Sequence, residues 1–328
     1  MKKFIRNIAA AALTAVATLP AAQAQDLEKI TYLFPAPDFL PAFAPFQVAR
    51  AKGYYEEAGL DVTWQIGKGG ADVAKQVAVG NVELGGGIGD TPIIVRQNGL
   101  PVKGVALLGG RPLTQVLIRA ESGIEDVAGL VGEPVGVIAY QDTTYYNLLA
   151  ALAASGVDAN DVDIQAIGAG GMVQLMISGD VTAISGTPDW AVAIEHAGVD
   201  LNIIEMDTML PAMAQAILAS EDTIAEKPEL VDAFVDATLK GLNDVIADPE
   251  GSAAAVAGFV PQMEGQEAML VEVMERYATL VYAMPEGQTL GTFDAERMST
   301  VANFYLDAGI VTEVSDTPED YFTNAFAE

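Results

Sequence analysis

The sequence predicts an α/β chain folded as two lobes, each a sheet with a parallel core and flanking helices, with a cleft between them. Three observations predict it. Short apolar runs alternate with helical stretches at the spacing of strand–helix–strand units. The alternation runs through once and then starts again. Glycine stands just past several helical stretches, where a left-handed C-terminal stop is wanted.

Residues 1–24 stand apart from this plan. Lys2, Lys3 and Arg6 precede an apolar run over 8–19, and Ala22-Gln23-Ala24 supplies a small-x-small cleavage pattern, so a signal peptide cleaved after Ala24 is expected. The run is too short to span a bilayer comfortably.

Strands are then expected at 30–34, 60–66, 82–84, 102–108 and 115–119, with helices at 42–52, 71–79 and 91–97. In the second round, strands fall at 134–139, 162–167, 181–185 and 201–204, with helices at 143–154, 172–178 and 188–196. After 215–219 the pattern turns helical: 228–246, opened by Pro228 where its missing N–H costs nothing, then 252–259, 266–281 and 294–306. No low-complexity linker occurs, so the lobes are expected to be joined by segments near 110–114 and 207–215. That assigns 25–112 with 210–328 to lobe 1 and 113–209 to lobe 2.

Composition excludes several functions. A formal net charge of −29 opposes nucleic acid and anionic membrane surfaces, both of which need clustered Lys and Arg. With no cysteine there is no disulfide, thiol nucleophile, cysteine metal site or lipid-modifiable cysteine, and a freely soluble periplasmic protein is expected. His196 is the only histidine and is expected near a helix C-terminus; no G-x-S-x-G turn occurs. Gly67-x-Gly69-x-x-Asp72 and Gly168-x-Gly170-x-x-Val173 both fail the dinucleotide fingerprint at its last position. Asp158, Asn160 and Val162 break the calcium-loop pattern. No catalytic residue, metal or cofactor is expected.

Ligands of open α/β sheets bind at the carboxyl ends of the strands. That rule selects loops 34–41, 67–70 and 85–91 in one lobe and 140–145, 168–172 and 185–190 in the other. If the lobes face each other, these loops line one cleft that closes on a solute.

Several stretches resemble a known family. Val48-Ala49-Arg50-Ala51-Lys52-Gly53-Tyr54-Tyr55-Glu56-Glu57-Ala58-Gly59-Leu60-Asp61-Val62 resembles the opening helix and following strand of the ABC-transporter periplasmic binding proteins serving thiamine-pyrimidine precursors, taurine, other sulfonates and nitrate. Gly69-Gly70-Ala71-Asp72-Val73-Ala74, then Gly85-Gly86-Gly87, Ile124 to Leu130 with Gly136-Val137, and Glu226 to Val231 follow in the family's order. The resemblance implies a type II-like periplasmic binding protein: a monomer that captures a small-molecule solute and delivers it to an inner-membrane ABC permease. It extends in fold to the fungal enzymes that build the thiamine pyrimidine, whose cysteine-rich motif and substrate histidine have no counterpart here.

The candidate solute contacts follow from the loops. Gly69 and Gly70 open a helix and can present N–H groups, or merely pack it against a sheet. Gly89, Asp90 and Thr91 sit at a strand end where Asp90 also suits a helix cap. Gln141, Asp142 and Thr143 repeat that situation with more polar groups than capping needs, and Gly170 and Gly171 open another helix. Phe34, Phe39, Tyr145 and Trp190 are candidates to stack on a planar solute, with ordinary core as the alternative for each; Tyr146 and Trp64 are expected in the core. Lys68 is the only cation in these loops, whereas Asp38, Asp90, Asp142 and Asp189 all fall there. The balance favours an aminopyrimidine-type thiamine precursor or similar aromatic nitrogen compound. Taurine, another sulfonate or nitrate stays open, as do a receptor-linked sensing module and an exported enzyme with an aspartate general base.

Overall fold

The computed structural model describes residues 27–140 and 142–327, and for Thr143 the backbone alone. The signal-peptide reading and candidate Gln141 lie outside the described residues.

The chain builds two five-stranded sheets. The first begins with β1 (Glu28–Phe34), α1 (Ala44–Ala51), α2 (Tyr54–Glu57), β2 (Leu60–Ile66), α3 (Gly70–Ala78), β3 (Leu84–Ile88), α4 (Thr91–Arg96) and β4 (Val102–Leu107). The second contains β5 (Gln115–Arg119), β6 (Pro134–Val137), α5 (Thr143–Ala154), β7 (Asp163–Ala166), α6 (Ala169–Ser178), β8 (Ala183–Gly186), α7 (Pro188–His196) and β9 (Leu201–Glu205). The chain then returns to the first sheet as β10 (Gln215–Ser220) and finishes in α8 (Glu221–Glu226), α9 (Pro228–Ala247), α10 (Pro249–Phe259), α11 (Glu267–Leu280) and α12 (Ala295–Asp307).

The strand orders are β2-β1-β3-β10-β4 and β7-β6-β8-β5-β9. Each sheet keeps the expected parallel core, β1 with β2 and β3 and β6 with β7 and β8, and adds one antiparallel strand: β10 runs against β3 and β4, and β5 against β8 and β9. The route of the chain explains it. β4 leaves the first sheet at its carboxyl end, so β5 enters the second sheet from the side where the strands' carboxyl ends lie and must run away from it. β10 makes the return journey under the same constraint. The two crossings, 108–114 and 206–214, are tied to each other by Leu113 N donating to Met213 O at 3.1 Å, and Leu108 N donates to Gln215 O at 2.7 Å where β10 begins.

One correction concerns β3. The sequence predicts a strand ending at 84 and a glycine loop beyond it, whereas Gly85-Gly86-Gly87 is the strand itself. Side chains press directly on this backbone: a Cβ at Gly86 would lie 2.8 Å from Pro35 Cδ, and one at Gly87 would lie 2.8 Å from Leu218 Cδ1. Apolar periodicity has nothing to read in three glycines.

The core of the first lobe is aromatic. Tyr32, Phe34, Phe46 and Phe234 are fully buried, with Tyr32 stacked on Phe234 at 5.0 Å and Phe34 on Trp64 at 5.5 Å between centroids. Truncating one such ring to alanine costs about 3–5 kcal/mol. α9 packs closely on α1 because it carries Gly241, where a Cβ would lie 3.0 Å from Ala49 Cβ. α11 leans across onto α7 of the second lobe. Among the described residues no helix is long and apolar enough to cross a membrane, and no group of three or more His, Asp or Glu could hold a metal ion.

Candidate functional site

A cavity of about 50 Å³ lies where the two sheets' strand ends meet. One wall comes from the segment after β1, with Pro35, Ala36, Leu40 and Phe43, and from Gly87 and Ile88 at the end of β3. The facing wall is Ile138 after β6, Asp142 and Thr144 at the start of α5, and Thr187, Asp189 and Trp190 at the start of α7. Leu113 of the first crossing and Gln215, the first residue of β10, close the back. The lining is mostly apolar and carries no Lys or Arg among the described residues.

Two carboxylates are built into this cavity. Asp189 follows Pro188, which opens α7 with no N–H to satisfy, so the carboxyl sits inside the first turn. Its Oδ1 accepts from Thr187 Oγ1 at 2.6 Å and from the Tyr277 hydroxyl of α11 at 2.8 Å. Burial holds the carboxyl above its ordinary pKa, partly offset by these bonds. Tyr282, just after α11, is buried nearby, and its hydroxyl finds no protein partner among the described groups. Burial first, then the charge of Asp189, raises the Tyr282 pKa.

Asp142 caps α5, its Oδ2 accepting from Thr144 N at 2.8 Å and Thr144 Oγ1 at 2.5 Å. Its Oδ1 reaches across to the first lobe and accepts from Gly70 N at 3.1 Å, at the N-terminus of α3. The helix start that could receive an anion is therefore met by a carboxylate of the opposite lobe. Ser185 Oγ donates to Thr144 O at 2.9 Å and fixes the start of α5 on β8.

Trp190 is buried, with its ring between the cavity and a second-lobe cluster of Leu117, Met172 and Ile184. Of the other candidates, Gly69 and Gly70 border the site through their contact with Asp142. Phe34 belongs to the aromatic core, and Phe39 packs partly buried against it. Asp38 pairs with Arg50 at 2.9 Å, whose guanidinium lies over Trp64. Gly89 lies against Met213, and Thr91 Oγ1 accepts from Ile88 N at 3.0 Å. Tyr145 packs against Tyr140 and Tyr146, while Gly170 is exposed and Gly171 abuts Ile167. Thr143 is the first residue of α5.

Asp90 is fully buried, and its side chain does not cap α4. Its Oδ1 accepts from Met213 N at 3.0 Å, and its Oδ2 accepts from the Asn147 amide at 2.9 Å and the Tyr305 hydroxyl at 2.7 Å.

Sequence reasoning passed over Phe43, Thr187, Gln215 and Tyr277. Thr187 lies in a loop the strand-end rule selects, and Gln215 ends an expected crossing, so both had a signal. Phe43 stands second in the expected helix 42–52, where nothing marks it as facing a cleft, and Tyr277 reaches Asp189 from 88 residues away with nothing local to announce it.

Residues 40–252 match the NMT1/THI5-like family. The chain is 31% identical over 320 residues to the riboflavin-binding protein RibY of Chloroflexus aurantiacus, covering 94% of this chain and 88% of that one. It is 27% identical over 286 residues to the formylaminopyrimidine-binding protein of Halalkalibacterium halodurans, covering 84% of each. In fold it is similar to the alkanesulfonate-binding protein SsuA from Xanthomonas axonopodis pv. citri, with a TM-score of 0.72 at 15% identity, covering 90% of this chain and 98% of that one.

Proposed function

The chain belongs to the NMT1/THI5-like family, in its branch of ABC-importer solute-binding proteins, and we propose that it captures a planar nitrogen heterocycle in the interlobe cavity. An aminopyrimidine thiamine precursor is the class favoured by size, and riboflavin carries a larger ring system of the same chemistry. The protein acts in the periplasm after removal of its leader, hands the solute to an inner-membrane permease and catalyses no reaction on it.

One observation carries this reading: an aromatic and apolar cavity holding two buried aspartates and no lining cation among the described residues. A heterocycle offers a face for Trp190 and Phe43 and N–H donors for the carboxylates. A sulfonate or nitrate would stand beside Asp142 and Asp189, with no Lys or Arg in the wall among the described residues. Two like charges 4 Å apart repel by about 4 kcal/mol at the effective dielectric of a protein. The Gly70 amide, the natural anion donor of the first lobe, already meets Asp142. The relatives named for riboflavin and for formylaminopyrimidine agree with this substrate class.

A cavity that admits one benzene-sized ring measures about 150 Å³. The unliganded cavity is about 50 Å³, so the loops that line it give way to the solute as the lobes close around it. Thermal unfolding against riboflavin, formylaminopyrimidine, 4-amino-5-hydroxymethyl-2-methylpyrimidine, taurine and nitrate tests the assignment. A true solute at a hundred times its Kd adds about 2.7 kcal/mol. Stabilisation by taurine or nitrate and by no heterocycle refutes the substrate class; turnover of a heterocycle by the purified protein refutes the non-catalytic role.

A further inference from the structure

We propose that Asn147 is a positioning residue, the catch that holds the second lobe closed on the first through Asp90, outside the solute cavity. The inference rests on the reading of the protein as a two-lobed solute trap and adds the element that sets how often the trap is shut.

The geometry points to Asn147 because every polar atom of its amide is committed between lobes. Asn147 lies on α5, in the second lobe, and is buried. Its Nδ2 lies 2.9 Å from Asp90 Oδ2 and 2.7 Å from the Tyr305 hydroxyl, on α12. Its Oδ1 accepts from Thr114 Oγ1 at 2.7 Å, at the end of the first crossing. Asp90, from the first lobe, completes the assembly by accepting from Met213 N in the second crossing at 3.0 Å. One side-chain amide and one carboxylate thus join both lobes, both crossings and the C-terminal helix α12.

Neither residue lines the cavity, so their contact cannot serve the solute directly. It has the chemistry of a catch. Parting the lobes draws Asn147 from Asp90 and leaves a buried carboxylate with one donor fewer, which is unfavourable. A solute whose binding-competent state is fully populated binds at its intrinsic Kd; when the closed fraction falls, the apparent Kd rises in proportion. Asn147 therefore tunes affinity without touching the solute.

The test exploits the near-identical shapes of Asn and Asp. Asn147→Asp sets a second carboxylate against Asp90 and forces the catch open. The exchange Asp90→Asn with Asn147→Asp restores one amide facing one carboxylate, with Thr114 and Tyr305 still able to donate to the residue at 147. Small-angle scattering of the solute-free protein reads closure directly. A compact chain of this length has a radius of gyration of about 20 Å. Asn147→Asp is expected to raise the radius, and the exchanged pair to return it to the wild-type value.

Calorimetry with formylaminopyrimidine and riboflavin reads the consequence: an apparent Kd raised about ten- to a hundredfold in Asn147→Asp and recovered in the exchanged pair. Asn147→Ser, too short to reach Asp90, is expected to open the protein without adding charge and decides the matter if Asn147→Asp does not fold. A folded Asn147→Asp or Asn147→Ser with the wild-type radius overturns the proposal, as does an exchanged pair that folds but stays open. Because the radius is measured without solute, a wrong substrate class leaves the outcome for the catch unchanged.

Discussion

Replacing Gly69 with alanine should weaken solute capture about ten- to a hundredfold, a loss separate from what it costs the fold. Gly69 adopts φ +93°, and a Cβ there would lie 3.0 Å from Asp142 Cγ and 3.2 Å from Asp142 Cβ, nearer still to Oδ1. Asp142 cannot swing aside cheaply, since its Oδ2 is held by Thr144 N and Oγ1. The cost divides into two parts. The extended backbone at positive φ, with ψ 163°, costs about 1–3 kcal/mol for a residue with a Cβ, whether the lobes are open or closed, and so appears in stability alone. The collision and the loss of the 3.1 Å Gly70–Asp142 bond exist only when the lobes meet. A hydrogen bond to a charged partner contributes about 1.5–3 kcal/mol, so affinity should fall about ten- to a hundredfold.

The assay is a calorimetric cycle of wild type, Gly69→Ala, Asp142→Ala and the double variant. With Asp142 shortened, Gly69→Ala no longer meets the carboxylate and keeps only the 3.2 Å approach to the Cβ of residue 142, so it should cost affinity much less. An affinity for Gly69→Ala within twofold of wild type, or two penalties that simply add, would refute the claim that these loops close on each other.

Three further outcomes are expected. Trp190→Ala should lose capture at least tenfold and about 3–5 kcal/mol of stability, yet keep its circular dichroism, since the ring also packs on Leu117 and Met172; titration and spectrum together check this. Burial holds the Asp189 carboxyl above its ordinary range, so the folded protein keeps a proton that the unfolded chain releases. Stability should therefore fall as pH rises from the ordinary carboxylate value through the folded one, and Asp189→Asn should shallow that fall in urea midpoints measured against pH; parallel profiles would contradict it. Arg297 of α12 bonds Ala212 O and, at 2.9 Å, Asp207 in the second crossing. Arg297→Met should loosen that segment, seen as faster amide exchange at Met213 and Ala214 than in wild type.

The sequence makes the architecture legible where periodicity and glycine stops act locally. Strands at β1, β2 and β5 and helices α5 and α7 lie close to where their patterns end, because nothing distant overrides them. It misleads at Gly85-Gly86-Gly87, where the strand is dictated by Pro35, Leu218 and other side chains pressing from outside. At the cavity the strand-end rule finds Asp142, Asp189 and Trp190, since helix starts place their first turn at the cleft. The same rule cannot tell that Phe34 turns into the core while Phe43, nine residues on, faces the cleft. Nor can it tell that Asp90 is spent on Asn147, Tyr305 and Met213. Those partners lie 57, 215 and 123 residues away, and only the packed chain brings them together.

The sequence holds two tryptophans, Trp64 in the first lobe and Trp190 on the cavity wall. In a Trp64→Phe variant, titration with riboflavin or formylaminopyrimidine should change Trp190 emission saturably, at the Kd that calorimetry gives. A solute that binds by calorimetry and leaves Trp190 emission unchanged would contradict enclosure between the lobes.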